Sequence, residues 1–258
     1  MRPVTLITGA SAGLGAEFAR QCARRGDEVV LVARRRERLE ALAAELGRAR
    51  VIVADLAAPG APRKLIDAVE AQGLTVSTLI NNAGFGLTGE FAGLPLERQR
   101  EMIDLNVGAL VELTHLVLPA MRKRGEGGIL NVASTGAFQA GPGFAVYFAT
   151  KAFVLSFTEA LHQELKRSGI KVSALCPGPT RTEFGEVAGV TSAAFDTFAA
   201  DASSVVAAGL SGLARHKAVV IPGLTNKISA QSNRLMPRAA MRRIVAALKL
   251  SGGGREIR

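Results

Sequence analysis

The sequence has little cysteine and no long uncharged apolar run, and each shortage excludes a class of protein. The two cysteines, Cys22 and Cys176, lie in apolar surroundings, so we expect reduced core residues rather than a disulfide framework. Charges, glycines or prolines interrupt every apolar stretch before the roughly 18 residues that a membrane span needs. The first ten residues have the pattern of a strand entering a glycine loop and leave no room for a signal peptide. We expect a cytoplasmic protein with no transmembrane segment.

The charge balance is strongly basic. The chain has 32 Lys and Arg against 22 Asp and Glu, a net charge of +10, which could indicate nucleic acid, an acidic membrane or anionic small molecules as partners. The basic residues are spread over helix ends and loops and are not interleaved with aromatic residues that stack on bases. We therefore predict no nucleic-acid binding. The basic amphipathic segment 225–258 leaves two alternatives: a weak contact with an acidic membrane or an acyl carrier, or a helix packed at a subunit interface or over the pocket, which we favour.

Short β-rich runs alternate with helical patterns from the first residue. The strands are mostly continuous apolar runs, as is typical of strands covered on both faces, which predicts an α/β fold with a doubly wound parallel sheet and helices on both faces. The length of 258 residues fits one such domain, residues 1–224, with an irregular substrate loop near 179–202. The predicted strands are Val4–Thr8, Glu28–Ala33, Arg50–Leu56, Thr78–Asn81, Gly128–Ser134, Lys171–Pro177 and Ala218–Pro222. The predicted helices are Ala16–Arg25, Arg36–Leu46, Ala61–Gln72, Glu97–Arg124 and Tyr147–Arg167.

A glycine-rich turn joins the first strand to the first helix. Its glycines let the backbone turn sharply and approach a pyrophosphate, which would then face the helix N-terminus. The spacing is not G-x-G-x-x-G, and an ordinary tight loop is the alternative interpretation. The candidate cofactor-binding residues here are Gly9, Ser11, Ala12, Gly13, Leu14 and Gly15.

The residues after the second strand indicate which dinucleotide binds. An acid at this place would accept hydrogen bonds from the adenosine ribose and repel a 2′-phosphate, but the chain has Arg34, Arg35 and Arg36. Arginines can bind that phosphate with charge-assisted hydrogen bonds. We predict NADP(H) as the preferred cofactor, with NAD(H) possible, through Arg34 and Arg35. Arg36 is better explained as the solvated start of a helix.

Two further strand ends carry candidate cofactor residues. Asp55, followed by Leu56, could accept a hydrogen bond from an adenine amino group. The small residues of Asn82-Ala83-Gly84 would let the backbone lie beside the adenosine ribose. Ordinary turn chemistry is an equal alternative for both places.

Tyr147 and Lys151 stand one helical turn apart and share a helix face. Tyr147 is the only tyrosine of the chain. A phenol with a pKa near 10 exchanges protons poorly at neutral pH unless a cation stabilises its phenolate, and Lys151 can supply that cation. A buried tyrosine packed over a lysine stem is the alternative for the pair taken alone.

Two polar residues complete a candidate catalytic set. Ser134 ends the fifth predicted strand, where its hydroxyl could hold a substrate oxygen beside the phenol. Asn106 lies inside a predicted helix, where asparagine is unfavourable, and a polar network would explain it. We predict no metal site.

Taken together, these motifs strongly resemble the short-chain dehydrogenase/reductase superfamily. The match runs in order over nearly the whole of residues 3–222 and comprises TGASAGLG, Asp55-Leu56, NNAG, the Asn106 helix, Ser134, Tyr147-x-x-x-Lys151 and Cys176-Pro177-Gly178. The resemblance implies the strand order 3-2-1-4-5-6-7, interconversion of a carbonyl and an alcohol, and a homodimer or homotetramer. A regulatory or scaffold protein that binds the dinucleotide without turnover is the alternative function.

The resemblance also implies roles for single residues. Tyr147 would be the acid in reduction and the base in oxidation, and Lys151 would bind the nicotinamide ribose and lower the phenol pKa. Ser134 would orient the carbonyl, and Asn106 would hold a water that links Lys151 to solvent. The remaining residues expected at the cofactor are Pro177, Gly178, Thr180 and Thr182.

Two features bear on cofactor choice and substrate. Ala12 stands where many NADP-preferring relatives have a basic residue, so the preference depends mainly on Arg34, with Arg35 second. The segments 136–144 and 179–198 are expected to select the substrate. Their phenylalanines favour an apolar or acyl-bearing carbonyl compound, unless they belong to the core. They are Phe138, Phe144, Phe184, Phe195 and Phe198.

Overall fold

The computed structural model describes residues 1–189 and 199–247. Two parts of the predicted features lie outside the described residues. They are segment 190–198 of the substrate loop, with Phe195 and Phe198, and segment 248–258 of the C-terminal extension. The predicted domain boundary at residue 224 stays a prediction.

Seven parallel strands form one sheet in the order 3-2-1-4-5-6-7, which confirms the predicted fold. The fourth strand begins earlier than predicted because Leu74 pairs with Arg2 of the first strand, and the third ends before Asp55. The strands are β1 (Arg2–Thr8), β2 (Val29–Ala33), β3 (Ala49–Val53), β4 (Leu74–Asn81), β5 (Gly127–Val132), β6 (Ile170–Leu175) and β7 (Val219–Val220).

Helices cover both faces of the sheet, because neighbouring residues of each buried strand point to opposite sides. In β1, Leu6 belongs to one core cluster and Ile7 to the other. The helices are α1 (Gly13–Arg24), α2 (Arg36–Leu46), α3 (Ala61–Ala71), α4 (Leu96–Ile103), α5 (Leu110–Arg124), α6 (Ala145–Glu164), α7 (Phe184–Ala188), α8 (Ala202–Ala214), α9 (Leu224–Leu235) and α10 (Arg238–Ala247). Cys22 and Cys176 are free and buried, as predicted, and burial raises the pKa of each thiol to about 12.

The sequence analysis did not predict α8. This helix lacks charged residues and contains two glycines, so it shows no polar face. The structure explains the glycines by close packing: a Cβ on Gly209 would lie 2.9 Å from a methyl of Leu175, and one on Gly212 only 2.1 Å from a methyl of Val220. Asp201 begins the helix by accepting a hydrogen bond from the Ser204 amide.

The single helix predicted over Glu97–Arg124 is interrupted by a π-helical turn, Asp104–Ala109, between α4 and α5. Asn106 lies in this turn, and such turns often occur at functional sites. By length and composition alone, the continuous stretch Leu96–Arg124 is long and apolar enough to cross a membrane, a test that a core helix of a folded domain also passes. Leu113 and Val117 of this stretch nevertheless pack into the core against the sheet.

The segment after residue 224 forms two helices within its described part. α9 packs against the 3-10 turn Thr135–Phe138, and both alternatives for this segment stay predictions. Val245 of α10 is buried, while Leu224 and Ile228 of α9 remain exposed.

Candidate active site

The glycine loop is packed so closely that two of its glycines cannot be replaced without movement of the backbone. A Cβ on Gly15 would lie 2.1 Å from the Gly9 carbonyl oxygen. A Cβ on Gly9, which has a φ of +68°, would lie 2.9 Å from the Ala83 Cα. Asn82 holds the loop from β4: its Nδ2 donates to the carbonyls of Thr8 (2.9 Å) and Gly9 (3.3 Å). The predicted cofactor residues of β1 and β4 therefore form one tightly built unit.

The N-terminus of α1 fits a dinucleotide pyrophosphate. Its N-cap, Ala12, supplies no side-chain hydrogen bond, so the amides of the first turn keep their capacity to bind an anion. Thr182 lies against this turn, since a Cβ on Gly13 would be 3.1 Å from its Cβ. The side-chain-free surface of the glycine loop and the open helix end are what a dinucleotide requires.

The three arginines after β2 have different surroundings. Arg34 Nη1 lies 3.1 Å from Glu101 Oε1 and 3.9 Å from Asp55 Oδ2. Arg35 instead reaches the glycine loop, with its Nε donating to Ser11 Oγ at 3.1 Å. Arg36 pairs with Glu40 one turn along α2, which matches its interpretation as a solvated helix start.

The sequence analysis missed Glu183 and Arg38. Arg35 Nη1 lies 2.9 Å from Glu183 Oε2, and the Arg38 guanidinium contacts the other carboxylate oxygen. These hydrogen bonds hold the pKa of Glu183 below its usual range. Glu183 is 148 positions from Arg35 and 145 positions from Arg38 in the sequence, so no local pattern could predict this cluster.

Asp55 follows β3 at the rim of an open cleft of about 410 Å³. The Ala57 amide donates to its Oδ1 at 3.2 Å, which is ordinary turn chemistry. The side chain of Leu56 is buried in the core, so only its backbone can face a ligand. The cleft is lined by Asp55, Ala57, Ala58, Glu97, Arg100, Glu101 and Asp104.

Asn106 is buried in the polar network that its position in a helix predicted. Its Oδ1 accepts from the Phe85 amide (3.1 Å), and its Nδ2 donates to the Phe85 carbonyl (3.0 Å) and Thr150 Oγ1 (3.1 Å). Thr150 in turn donates to the carbonyl of Tyr147 at 2.7 Å. The network joins the π turn to the helix of the predicted catalytic residues, and Thr150 was missed because threonine in a helix carries no distinctive signal.

Tyr147 lies in the first turn of α6 with 8% of its surface exposed. Burial raises the pKa of the phenol above 10, and a hydrogen bond with the Ser134 side chain acts in the opposite direction. Ser134 Oγ also accepts from the Gly136 amide at 3.0 Å, which fixes the hydroxyl beside the phenol. The lowering of the phenol pKa expected from Lys151 is not seen here, because burial dominates and the opposing contribution comes from Ser134.

Lys151 is buried beside the same phenol. Its Nζ lies 5.7 Å from the centroid of the Tyr147 ring and donates to the Val132 carbonyl at 2.8 Å. Burial lowers the pKa of the ammonium to about 8, a shift that the Cys176 thiolate form would oppose. Gly84 approaches both polar residues of the site: a Cβ there would lie 2.8 Å from Asn106 Oδ1 and 3.6 Å from Lys151 Nζ.

Three phenylalanine rings surround the phenol. Their centroids lie 5.8 Å (Phe144), 6.0 Å (Phe148) and 5.3 Å (Phe184) from that of Tyr147. Phe144 and Phe184 thus come from both predicted substrate segments, whereas Phe138 packs in a separate core cluster. The surroundings of the phenol are apolar and aromatic.

The residues after β6 follow the predicted path beside the site. The Pro177 carbonyl accepts from the Thr135 amide at 2.8 Å, which ties this segment to the turn after Ser134. Thr180 is buried and donates to the Gly178 carbonyl at 3.0 Å, so its hydroxyl is already used locally. A Cβ on Gly178 would lie 2.4 Å from Asn226 Oδ1 of α9.

The family follows from comparison with known proteins. Residues 3–191 match the family described as short chain dehydrogenase. The chain belongs to the short-chain dehydrogenases. This short-chain dehydrogenase is 39% identical over 189 residues to sulfoacetaldehyde reductase 2 of Chromohalobacter salexigens, covering 71% of this chain and 75% of that protein.

Comparison with solved structures gives the same family. A short-chain dehydrogenase from Sphingobium yanoikuyae in complex with NADPH has a TM-score of 0.81 and 35% identity, covering 99% of this chain and 98% of that one. A bulky-bulky ketone specific alcohol dehydrogenase from Comamonas testosteroni has a TM-score of 0.76 and 32% identity, covering 92% and 94%. The protein is an oxidoreductase that acts on CH–OH groups with a nicotinamide dinucleotide, and its relatives do not favour the non-catalytic alternative.

Proposed function

We propose that the protein is an NADP(H)-dependent enzyme that interconverts a ketone or aldehyde and an alcohol, with Tyr147 as the general acid and base. The observation that carries the proposal is the convergence of three side chains. Ser134 lies close enough to the Tyr147 phenol to oppose the rise of its pKa, and Lys151 Nζ lies 5.7 Å from the centroid of the phenol ring. Ser134 follows β5, and Lys151 of α6 donates to the carbonyl of Val132 at the end of β5. The site therefore lies at the carboxyl ends of the strands, on the same edge of the sheet as the glycine loop, where open α/β sheets bind their ligands.

In the direction of reduction, Tyr147 gives its proton to the carbonyl oxygen while Ser134 holds that oxygen in place. A dinucleotide held at the glycine loop would supply the hydride for the carbonyl carbon. The phenol is protonated at neutral pH, since burial raises its pKa. As the proton leaves, the Lys151 ammonium stabilises the phenolate charge. Asn106 and Thr150 position α6, because their hydrogen bonds end on the Tyr147 backbone.

We propose an apolar carbonyl substrate. Phe144, Phe148 and Phe184 pack around the phenol that must meet the carbonyl oxygen, and apolar walls with a few polar groups are typical of small-molecule pockets. The similarity to a bulky-bulky ketone specific dehydrogenase supports this class. Aryl ketones are expected to be reduced in preference to small anionic aldehydes, for which none of these three rings supplies a countercharge.

The preference for NADP(H) is also part of the proposal. Both arginines are paired with carboxylates, Arg34 with Glu101 and Asp55 and Arg35 with Glu183. Arg35 is the better candidate for the 2′-phosphate because it also contacts Ser11 of the glycine loop. We further propose a homodimer or homotetramer, supported by a stacked phenylalanine pair on α6 in which Phe153 is 43% exposed. The mass of the protein in solution tests that assembly.

The decisive experiment is Tyr147→Phe, assayed with NADPH and a panel of carbonyl compounds from aryl ketones to sulfoacetaldehyde. We expect kcat to fall by about 10²–10⁴-fold, the range for loss of a general acid. NADPH binding, measured by titration calorimetry, should stay within a factor of about two, because the phenol bonds to Ser134 and not to the glycine loop. A variant that keeps the wild-type kcat on every substrate the wild type reduces would refute the role of Tyr147.

Cofactor choice is tested by Arg35→Ser, with Arg36→Ser as the matched control. Loss of a charge-assisted contact of about 1–3 kcal/mol should weaken NADPH binding by roughly tenfold or more and leave NADH binding unchanged. Arg36→Ser should change neither, because this side chain pairs with Glu40 within its own helix. If Arg34→Asp lowers the NADPH-to-NADH discrimination and Arg35→Ser does not, the assignment returns to Arg34.

A further inference from the structure

The carboxylate of Glu183 lies between two arginines, Arg35 and Arg38, and the short helix α7 beside Tyr147. Glu183 Oε2 lies 2.9 Å from Arg35 Nη1, and its other oxygen contacts Arg38. These side chains are 45% (Arg35), 50% (Arg38) and 40% (Glu183) exposed, so water and small ions reach them. Glu183 is therefore a replaceable partner of the two arginines.

Glu183 directly precedes α7, and α7 covers the phenol. Phe184, the first residue of this helix, places its ring 5.3 Å from that of Tyr147. The far end of α7 is held separately, since Thr88 Oγ1 donates to the carbonyls of Ala188 (2.9 Å) and Gly189 (3.0 Å). The pair with the arginines is thus one of the contacts at the end of α7 that lies over the catalytic side chain, together with the hydrogen bond that the Phe184 amide donates to Thr182 Oγ1 at 3.3 Å.

We propose that Glu183 is a latch that the 2′-phosphate of NADP(H) opens: the phosphate takes Arg35 and Arg38 from Glu183, and the released N-terminal end of α7 moves Phe184 away from Tyr147. The inference rests on the proposed function, in which Arg35 binds that phosphate. A phosphate group carries more charge and more acceptor oxygens than a carboxylate, so it is the stronger partner for two guanidinium groups. NADH lacks this group and leaves the latch closed.

This arrangement gives the cofactor preference a second consequence. Discrimination between NADPH and NADH then includes access of the carbonyl to Tyr147 as well as binding of the dinucleotide. A ligand shifts such an equilibrium only through its different affinity for the two states. Here that difference comes from the phosphate, because it binds Arg35 and Arg38 only when Glu183 has left them.

The test uses the full chain with a single fluorescent reporter. The sequence has no tryptophan, and Val187 on α7 is 56% exposed, so Val187→Trp reports on α7 without filling the core. Adenosine 2′,5′-bisphosphate and adenosine 5′-monophosphate are the probes, each at a saturation fixed by titration calorimetry. The bisphosphate should shift the emission of the introduced tryptophan and the monophosphate should not. Equal emission with both probes, at equal saturation, overturns the latch.

Glu183→Gln in the reporter background identifies the residue, and Glu186→Gln, an exposed carboxylate on the same helix, is its control. Without the competing charge, the bisphosphate should bind on the order of three- to tenfold more tightly. The ligand-free emission should already resemble that of the bound parent reporter. Glu186→Gln should behave like the parent reporter. Unchanged affinity and emission in Glu183→Gln overturn the proposal.

The outcomes also separate this proposal from the one on which it rests. If the bisphosphate binds better than the monophosphate but α7 does not respond, the latch is wrong and the NADP(H) preference stands. If both probes bind equally well, the preference fails and the latch fails with it. Carbonyl reduction itself is measured independently by the Tyr147→Phe comparison.

Discussion

Burial of the Lys151 ammonium makes the stability of the protein depend on pH in a defined direction. The pKa of Lys151 falls from 10.5 to about 8 because the side chain is buried, with 6% of its surface exposed. Between these two values the unfolded chain binds more protons than the folded one. The contribution of Lys151 to the free energy of unfolding must then rise with pH in this window, since the cost of burying the charge disappears as the folded protein releases its proton.

The size of the effect follows from the two pKa values. A full shift of this size corresponds to about 3 kcal/mol, and the part gained between pH 7 and 9.5 is about 2 kcal/mol. The raised pKa values of Cys22 and Cys176 act in the opposite direction from about pH 9, and that of Tyr147 does so above about pH 10, because the unfolded chain loses these protons first. Measurements should therefore stop near pH 9.5.

The assay is urea unfolding of the wild type and Lys151→Met at several pH values from 7 to 9.5. All other titrating groups are common to both proteins, so the difference between the two free energies isolates Lys151. Loss of the hydrogen bond to the Val132 carbonyl adds a constant offset and does not change the slope. The wild type should gain about 2 kcal/mol relative to the variant over this range. Parallel curves would refute the buried, low-pKa ammonium.

Two further predictions concern the glycine loop and the C-terminal segment. Gly15→Ala places a Cβ 2.1 Å from the Gly9 carbonyl oxygen, so dinucleotide binding measured by calorimetry should be lost. The control Gly93→Ala, with nothing within 4 Å of its new Cβ, should bind the dinucleotide like the wild type. Retained binding in Gly15→Ala would contradict the described packing. Deletion of residues 225–258 should lower kcat/KM, because α9 packs on the turn after Ser134 and Asn226 supports Gly178, and it should not change sedimentation with anionic liposomes. Pelleting of the full chain alone would instead favour the membrane-anchor alternative.

Much of the fold could be predicted because local sequence patterns indicate its strands and most of its helices. Apolar strands such as Val29–Ala33 and the alternation with helices indicated the parallel sheet, and the order of motifs indicated its topology. The spacing of Tyr147 and Lys151 placed them on one helix face, and only the joint pattern with Ser134, Asn106 and the glycine loop indicated their chemistry. The errors fall where a pattern was weak: α8 has no polar face, and the π turn at Asn106 adds a residue that an ideal helical period does not anticipate.

The rest of the candidate site joins residues that are far apart in the sequence. Glu183 meets Arg35 and Arg38 only after the loop following β6 folds back over the β2–α2 turn, and no spacing rule joins them. The relative importance of Arg34 and Arg35 likewise could not be predicted, because it depends on which acids lie nearby in space. Phe184 was predicted to select substrate, but its position on the Tyr147 ring required the coordinates.

The hydrogen bonds of Asn82 have a thermodynamic consequence for ligand binding. Because its amide already holds the Thr8 and Gly9 carbonyls, the backbone of the glycine loop is fixed before a ligand arrives. Association there costs little conformational entropy, so adenosine diphosphate fragments should bind with a small ordering penalty. Asn82→Ala would remove these hydrogen bonds, so the glycine loop would have to become ordered when the ligand binds. Calorimetry should then give a less favourable entropy of binding, even if the contacts made by the ligand were the same.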